Sequence, residues 1–204
     1  MRKLVGTAVL LVAICVSPAM AKEGLSIGGS YSYTNIYGHS QDLFDDSYFR
    51  SLKPGLGWGL RVGWGVYDYL AIEASLTRSY HKTSLLGRSN LERQVLEGES
   101  LILKIYPGNL LNHFDIKLPR LPGGIDPFII IGGGLYQIGD TGGTYYKGSG
   151  FEFGIGLDWY LTSYVSVDAG FSGRSMTFDK GEFSSGKNAD ASTNTFDISI
   201  AYHF

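Results

Sequence analysis

The feature that most constrains the fold is an apolar residue at every second position, repeated in one segment after another. In residues 193–204 the apolar face is complete, and its members are Phe196, Ile198, Ile200, Tyr202 and Phe204. Residues 151–161 divide in the same way into an apolar face and a face rich in glycine and acidic residues. A period of two is that of a β-strand, whereas a helix repeats every three or four residues. The sequence therefore predicts an all-β fold.

Eight such segments follow one another along the chain. They are residues 24–37, 54–67, 70–80, 95–106, 127–138, 151–161, 165–174 and 193–204. The fifth is apolar on both faces around residues 128–131, so its orientation does not follow from periodicity. Eight amphipathic segments in succession predict an up-and-down arrangement of antiparallel strands.

The connections between these segments alternate in length. Short turns follow the second and sixth segments at one end of the strands. The four connections at the other end are long polar loops. The four loops are residues 38–53, 81–94, 139–150 and 177–192. This alternation is typical of an outer-membrane barrel, with its turns and both termini in the periplasm. The connection 107–126 is long where a short turn is expected, and we predict a small periplasmic excursion there.

Composition indicates which face of the strands points outward. The chain has 29 glycines in 204 residues and an aromatic content of 14%. An eight-stranded barrel is barely wide enough for ordinary side chains, so an inward aromatic face would overfill it. With the apolar face outward, lipid covers it and small or polar residues fill the lumen. We therefore predict an eight-stranded antiparallel transmembrane β-barrel; a β-sandwich with an aromatic core is the alternative.

The N-terminus predicts export. Basic residues at positions 2 and 3 precede an apolar stretch too short to span a membrane, and Ala19 and Ala21 suit signal peptidase. We expect residues 1–21 to be a signal peptide cleaved after Ala21, and residues 22–204 to be the barrel domain. Cys15 is the only cysteine, and Ile14 before it disfavours a lipoprotein site. The mature chain then has no thiol chemistry.

The final strand, read together with the leader and the eight amphipathic segments, resembles the small outer-membrane β-barrel family. That family includes OmpA-type transmembrane barrels and opacity-type surface proteins. The last nine residues run Phe-Asp-Ile-Ser-Ile-Ala-Tyr-His-Phe. The resemblance implies an outer-membrane location, and it implies that Ile200, Tyr202 and Phe204 form the recognition signal for the barrel assembly machinery. It carries no catalytic motif.

Aromatic residues concentrate where the strands would meet the two membrane surfaces. Near the turn end we expect a girdle of Trp64, Tyr67, Tyr69, Tyr106, Trp159, Tyr160, Tyr164, Tyr202 and Phe204. Near the loop end we expect a looser girdle of Tyr33, Tyr37, Tyr80 and Tyr136. Two girdles at the ends of an apolar band support the membrane interpretation.

The inward faces carry a mixed set of charges. We predict a lumen network of Arg61, Glu73, Lys104, Glu152, Asp158, Asp168, Arg174 and Asp197, with His203 nearby. An unpaired buried ion costs several kcal/mol, so these groups must be paired or hydrated. Two interpretations stay open: a salt-bridged plug, or a polar path for water and small ions with Arg–carboxylate pairs as a gate.

Sequence signals for other chemistry are weak. Of the four histidines, only His81, with Ser79 or Ser84, lies near the loop end of a strand, and no third catalytic member is identifiable. We expect a solvated loop histidine and predict no catalytic residues. An acidic loop of Asp42, Asp45 and Asp46 lacks the spacing of an EF-hand. No metal or cofactor is predicted.

The sequence thus predicts a non-enzymatic outer-membrane barrel with a structural or surface-interaction role, such as adhesion or defence, carried by four extracellular loops. The expected partners are outer-membrane lipid, the barrel assembly machinery and an extracellular ligand. The alternatives are a narrow channel for water, ions or small solutes, and a lipid A-modifying enzyme. Without the leader the net charge is 15 − 19 = −4, which argues against a nucleic-acid partner.

Overall fold

A computed structural model describes residues 23–38, 48–83, 93–116, 124–140, 144–179 and 188–204. The strands are β1 (Gly24–Gly38), β2 (Gly55–Tyr67), β3 (Leu70–Lys82), β4 (Arg93–Ile105), β5 (Ile125–Asp140), β6 (Thr144–Tyr160), β7 (Val165–Phe178) and β8 (Ala189–His203). One short helix, α1 (Pro107–His113), lies in the predicted excursion between β4 and β5. Within the described ranges, no helix has the length and apolar character needed to cross a membrane.

The eight strands form a closed barrel in which every strand pairs antiparallel with its neighbours and β1 pairs with β8. This confirms the predicted fold. A path from Lys147 of β6 steps from each residue to its paired residue on the next strand, first to β5 and then around the whole barrel. It returns to β6 at Leu157, ten residues further on, and this offset is the shear of the barrel. Such a shear tilts the strands against the barrel axis, and together with the strand number it fixes the diameter.

The apolar face points outward, as predicted. On β4, Leu101 is 60% exposed, whereas the next residue, Ile102, is 7% exposed. Phe128 is buried, so β5 turns its even-numbered residues into the lumen. A wall of exposed leucine, isoleucine and aromatic side chains is stable only where lipid covers it.

Glycine is concentrated where strands approach closely on the lumen side. On β5, a Cβ atom at Gly132 would overlap the backbone oxygen of Leu101, and one at Gly134 would overlap that of Glu99. Both backbone oxygens belong to β4, the strand paired with β5. The glycine content of the chain therefore reflects the packing of a narrow barrel wall.

Several strands extend further toward the loop end of the barrel than predicted. The largest difference is in the predicted loop 139–150, because β6 begins at Thr144 and only residues 141–143 separate it from β5. Lys147 and Ser149 occupy outward positions there, where Phe151 and Phe153 stand lower on the same strand. Above the lipid, the outward face of a strand meets water, so the apolar alternation that predicted the strands stops before the strands do.

Candidate functional site in the barrel lumen

The centre of the lumen holds a charge network built around Arg61 of β2. Its guanidinium lies 3.2 Å from Asp168 of β7 and 3.6 Å from Glu73 of β3, and it donates to Asp197 of β8. One cation therefore faces three carboxylates from three different strands. The Ser199 hydroxyl donates to Asp168 and adds to the hydrogen bonding of that carboxylate.

Lys104 of β4 extends this network toward the turn end of the barrel. Its ammonium lies 2.8 Å from Asp158 and 3.8 Å from Asp168, which it shares with Arg61. It also lies 4.0 Å from the centroid of the Phe128 ring, within the range of a cation–π interaction. The Tyr106 hydroxyl donates to Asp158 at 2.6 Å.

The two remaining charges of the predicted set form a separate pair. Arg174 contacts both oxygens of Glu152, with Nε–Oε2 and Nη2–Oε1 distances of 3.1 Å each. The Nη2–H group donates to Oε1 in a charge-assisted hydrogen bond, whereas the Nε–Oε2 contact is an ion pair without hydrogen-bond geometry. The structure thus places all eight predicted lumen charges inside the barrel, six in one network and two in this pair. His203 instead contacts the Ser166 hydroxyl at 2.8 Å.

Two small cavities lie in the lumen, one on either side of the central network, each of about 40 Å³. Arg61, Glu73 and Lys104 line both cavities, so these side chains stand between them. Each cavity has room for one or two water molecules, with polar groups to hold them. The geometry is that of a hydrated ionic partition across the lumen.

The mouth of the barrel at the loop end is closed by residues 48–52, which we call the mouth segment. Phe49 is 0% exposed, and its ring centroid lies 5.3–5.7 Å from those of Tyr48, Tyr146 and Phe178. The Tyr48 hydroxyl donates to Gln94 at 2.7 Å. These residues were predicted to lie in the polar loop 38–53. Three apolar residues spaced as 48, 49 and 52 were the available signal for a buried helical turn.

His81 is buried, and the expectation of a solvated loop histidine was wrong. It is 1% exposed, its Nδ1 lies 3.0 Å from the backbone oxygen of Lys53, and its Nε2 lies 2.8 Å from the Ser79 hydroxyl. A ring that donates from Nδ1 to a carbonyl can accept from the serine at Nε2. The contact with Lys53, the residue that follows the mouth segment, joins the buried histidine to the chain that enters β2.

The other residues considered as sites outside the lumen cannot be placed in the structure. His39, Ser84 and the acidic residues Asp42, Asp45 and Asp46 lie outside the described residues. Over the part of the chain that is described, no group of three or more His, Cys, Asp or Glu side chains is arranged to hold a metal ion.

Three aromatic residues assigned to the girdles face the lumen instead. Tyr106 and Tyr136 are 6% and 3% exposed, and Tyr160 lines the same lumen cavity as Tyr106. The assignment used position along the strand, which sets height in the membrane, and neglected the alternation that sets the face. The remaining described girdle residues include Tyr33, exposed near the loop end, and Trp64, exposed near the turn end.

The residues of the predicted assembly signal lie on the lipid face at the end of β8. Ile200, Tyr202 and Phe204 are 40–57% exposed, and the Tyr202 and Phe204 rings meet edge to face at 5.0 Å. The Phe204 amide donates to the backbone oxygen of Leu25 at 2.9 Å, which closes the seam between β8 and β1. Their role in assembly stays a prediction.

We expect deletion of Phe204 to lower the amount of folded protein in the outer membrane and to leave unassembled chain in the periplasm. The reason is loss of a terminal aromatic residue together with one seam hydrogen bond. The measurement is fractionation followed by gel mobility with and without heating. His203→Ala, which changes the inward-facing neighbour, is the control. Normal assembly of the truncated chain would contradict the assignment.

A family model described as outer membrane protein beta-barrel domain matches residues 7–204. A comparison with curated proteins finds no match. Among solved structures, the barrel is similar to Neisserial surface protein A (NspA), with 12% identity, a TM-score of 0.57 and coverage of 89% of this chain and 98% of that chain.

Two further solved barrels are similar at comparable levels. OprG of Pseudomonas aeruginosa has 12% identity and a TM-score of 0.53 over 91% of this chain and 99% of that chain. Ail of Yersinia pestis, in complex with the heparin analogue sucrose octasulfate, has 14% identity and a TM-score of 0.50 over 89% and 99%. At these identities the similarity concerns the fold.

Proposed function

The chain belongs to the outer membrane β-barrel family whose model spans residues 7–204, and from this we propose that it is a closed, non-enzymatic barrel that acts through its extracellular loops. Its role in this proposal is structural or one of surface interaction, as in adhesion or defence. Its partners are outer-membrane lipid, the assembly machinery during biogenesis and an extracellular ligand. We also propose that residues 1–21 are a signal peptide removed after Ala21.

The observation that carries the proposal is the filling of the lumen at two levels. The mouth segment packs Phe49 into an aromatic cluster at the extracellular end. Below it, Arg61 of β2 pairs with Asp168 of β7, and Lys104 of β4 pairs with Asp158 of β6. A lumen filled by aromatic side chains at the loop end and by ion pairs below them favours a scaffold for the loops over a channel.

The alternatives have less support. For a channel, the two cavities supply polar lining, but Arg61, Glu73 and Lys104 separate them. For a lipid A-modifying enzyme, the Ser79–His81 pair supplies a hydroxyl and a base. His81 is 1% exposed, however, and among the described residues its hydrogen-bond partners are the Ser79 hydroxyl and the Lys53 backbone oxygen, with no carboxylate. Neither alternative uses the loops.

We expect the refolded barrel to show no steady single-channel conductance in a planar bilayer, because the ionic partition blocks hydrated ions. A gel mobility that shifts on heating establishes first that the barrel is folded. Steady openings that change when Arg61 or Glu152 is neutralised would support the channel instead.

The surface role is tested by exchange of the extracellular loops, which should abolish surface binding and leave assembly unchanged.

A further inference from the structure

The connection between β4 and β5 exposes apolar surface at the periplasmic end of the barrel. No residue of α1 is buried, and Phe114 and Ile116, just after the helix, are 66% and 52% exposed. Phe114 is more exposed than Leu101 on the lipid-facing wall, which is 60% exposed, and Ile116 is more exposed than Trp64, which is 44% exposed. Exposed apolar side chains of this size, held at a defined place, call for a partner.

Both ends of α1 are fixed to the turn between β2 and β3. In its first turn, the Asn109 amide donates to the backbone oxygen of Asp68 at 2.9 Å. In its last turn, the His113 ring centroid lies 5.2 Å from that of Tyr69. A helix of seven residues is about 10 Å long, so contacts from both ends to one turn keep it alongside the barrel rim.

The helix also continues the aromatic girdle of the wall. Tyr67, which is 51% exposed on the lipid-facing side, stacks on Tyr69 with ring centroids 5.2 Å apart. Tyr69 contacts His113, and the His113 ring meets Phe114 edge to face at 5.5 Å. An unbroken row of rings therefore leads from the girdle to Phe114.

The backbone after the helix holds this apolar surface in a defined position. The Ile116 amide donates to the Leu111 oxygen at 3.0 Å, and the Asp115 amide donates to the Asn112 oxygen at 3.1 Å. Asp115 has a φ of 61°, in the left-handed region. These features form a Schellman motif, in which the residue after the left-handed one packs back toward the helix.

We propose that α1 and residues 114–116 form an interfacial anchor, with Phe114 and Ile116 inserted among phospholipids of the periplasmic leaflet. The continuity of Phe114 with the lipid-facing girdle selects lipid over a soluble partner. A short helix lying in the plane of the membrane with its apolar residues at the boundary of headgroups and acyl chains is a known mode of membrane attachment. The excursion 107–126 thereby gains a physical role.

The test is a spin-label depth measurement in phospholipid vesicles, using the full chain with Cys15→Ser, which removes its only cysteine. Phe114→Cys and Ile116→Cys carry the nitroxide in separate samples. Leu101→Cys on the wall is the lipid reference, and Asp179→Cys beyond the extracellular end of β7 is the water reference. A mobility shift on heating confirms folding of each labelled chain.

We expect labels at positions 114 and 116 to collide more often with dissolved oxygen than with a water-soluble nickel chelate, as at position 101. The reverse order at both positions, as at 179, would overturn the proposal and leave this surface for a soluble periplasmic partner. The surface role proposed above is unaffected by either result, because the loops lie at the opposite end of the barrel.

Discussion

Replacing Arg61 with methionine is expected to lower the free energy of unfolding by about 3–5 kcal/mol, as when one partner of a buried ion pair is removed. The substitution keeps much of the side-chain volume and removes the charge. Glu73, Asp168 and Asp197 would then face one another across a narrow lumen without their shared cation. Urea titration of the barrel refolded in phospholipid vesicles measures the loss.

Arg78→Met is the matched control, since it makes the same substitution on the outside of the barrel. Arg78 pairs with Glu97 at 3.2 Å, and their side chains are 41% and 36% exposed. Exposed pairs contribute about 0–1 kcal/mol. Adding Asp197→Asn to the Arg61 variant should recover part of the loss, because one carboxylate then needs no partner. Equal effects of Arg61→Met and Arg78→Met would contradict the network.

Replacing Phe49 with alanine is expected to lower the free energy of unfolding by about 3–5 kcal/mol, the usual range for a buried phenylalanine. The lost side chain would leave a void among the rings of Tyr48, Tyr146 and Phe178. The same titration measures this effect. Conductance should stay absent, because the ionic partition below the mouth segment is untouched.

Lys53→Ala is the control for the mouth segment. The Lys53 side chain is exposed, and the backbone oxygen that contacts His81 survives the substitution. A surface change of this kind usually alters stability by about 0.5 kcal/mol or less. If Phe49→Ala cost no more than Lys53→Ala, the mouth segment would not be packed as described.

Alternation predicted the eight strands and their antiparallel order, and composition assigned the apolar face to lipid, whereas the orientation of the fifth strand stayed open. Alternation is informative because the membrane acts on every second residue, as the neighbouring Leu101 and Ile102 illustrate. Where the lipid ends, this constraint ends too. The β5–β6 hairpin was therefore predicted too short, since Lys147 and Ser149 carry no apolar signal.

The sequence predicted which charged residues face the lumen, but it did not predict which of them form ion pairs with one another. Parity placed Arg61, Asp168 and Asp197 inside, but their contacts depend on relative height, which the shear around the barrel sets. Tyr136 was misassigned for a different reason, because its height along the strand was used without the alternation that places it in the lumen. The mouth segment was missed because it is neither strand nor polar loop.

The closed register makes the chain very unequal in its tolerance of insertions and deletions. Removing one residue near the start of β4 would exchange the two faces for the residues that follow it in that strand. Leu101 would then point into the lumen, and Lys104 would point toward lipid. A change of length in the connection 39–47 shifts no strand. Over evolution the connections can therefore change in length and sequence while the strands of the wall keep their residue count.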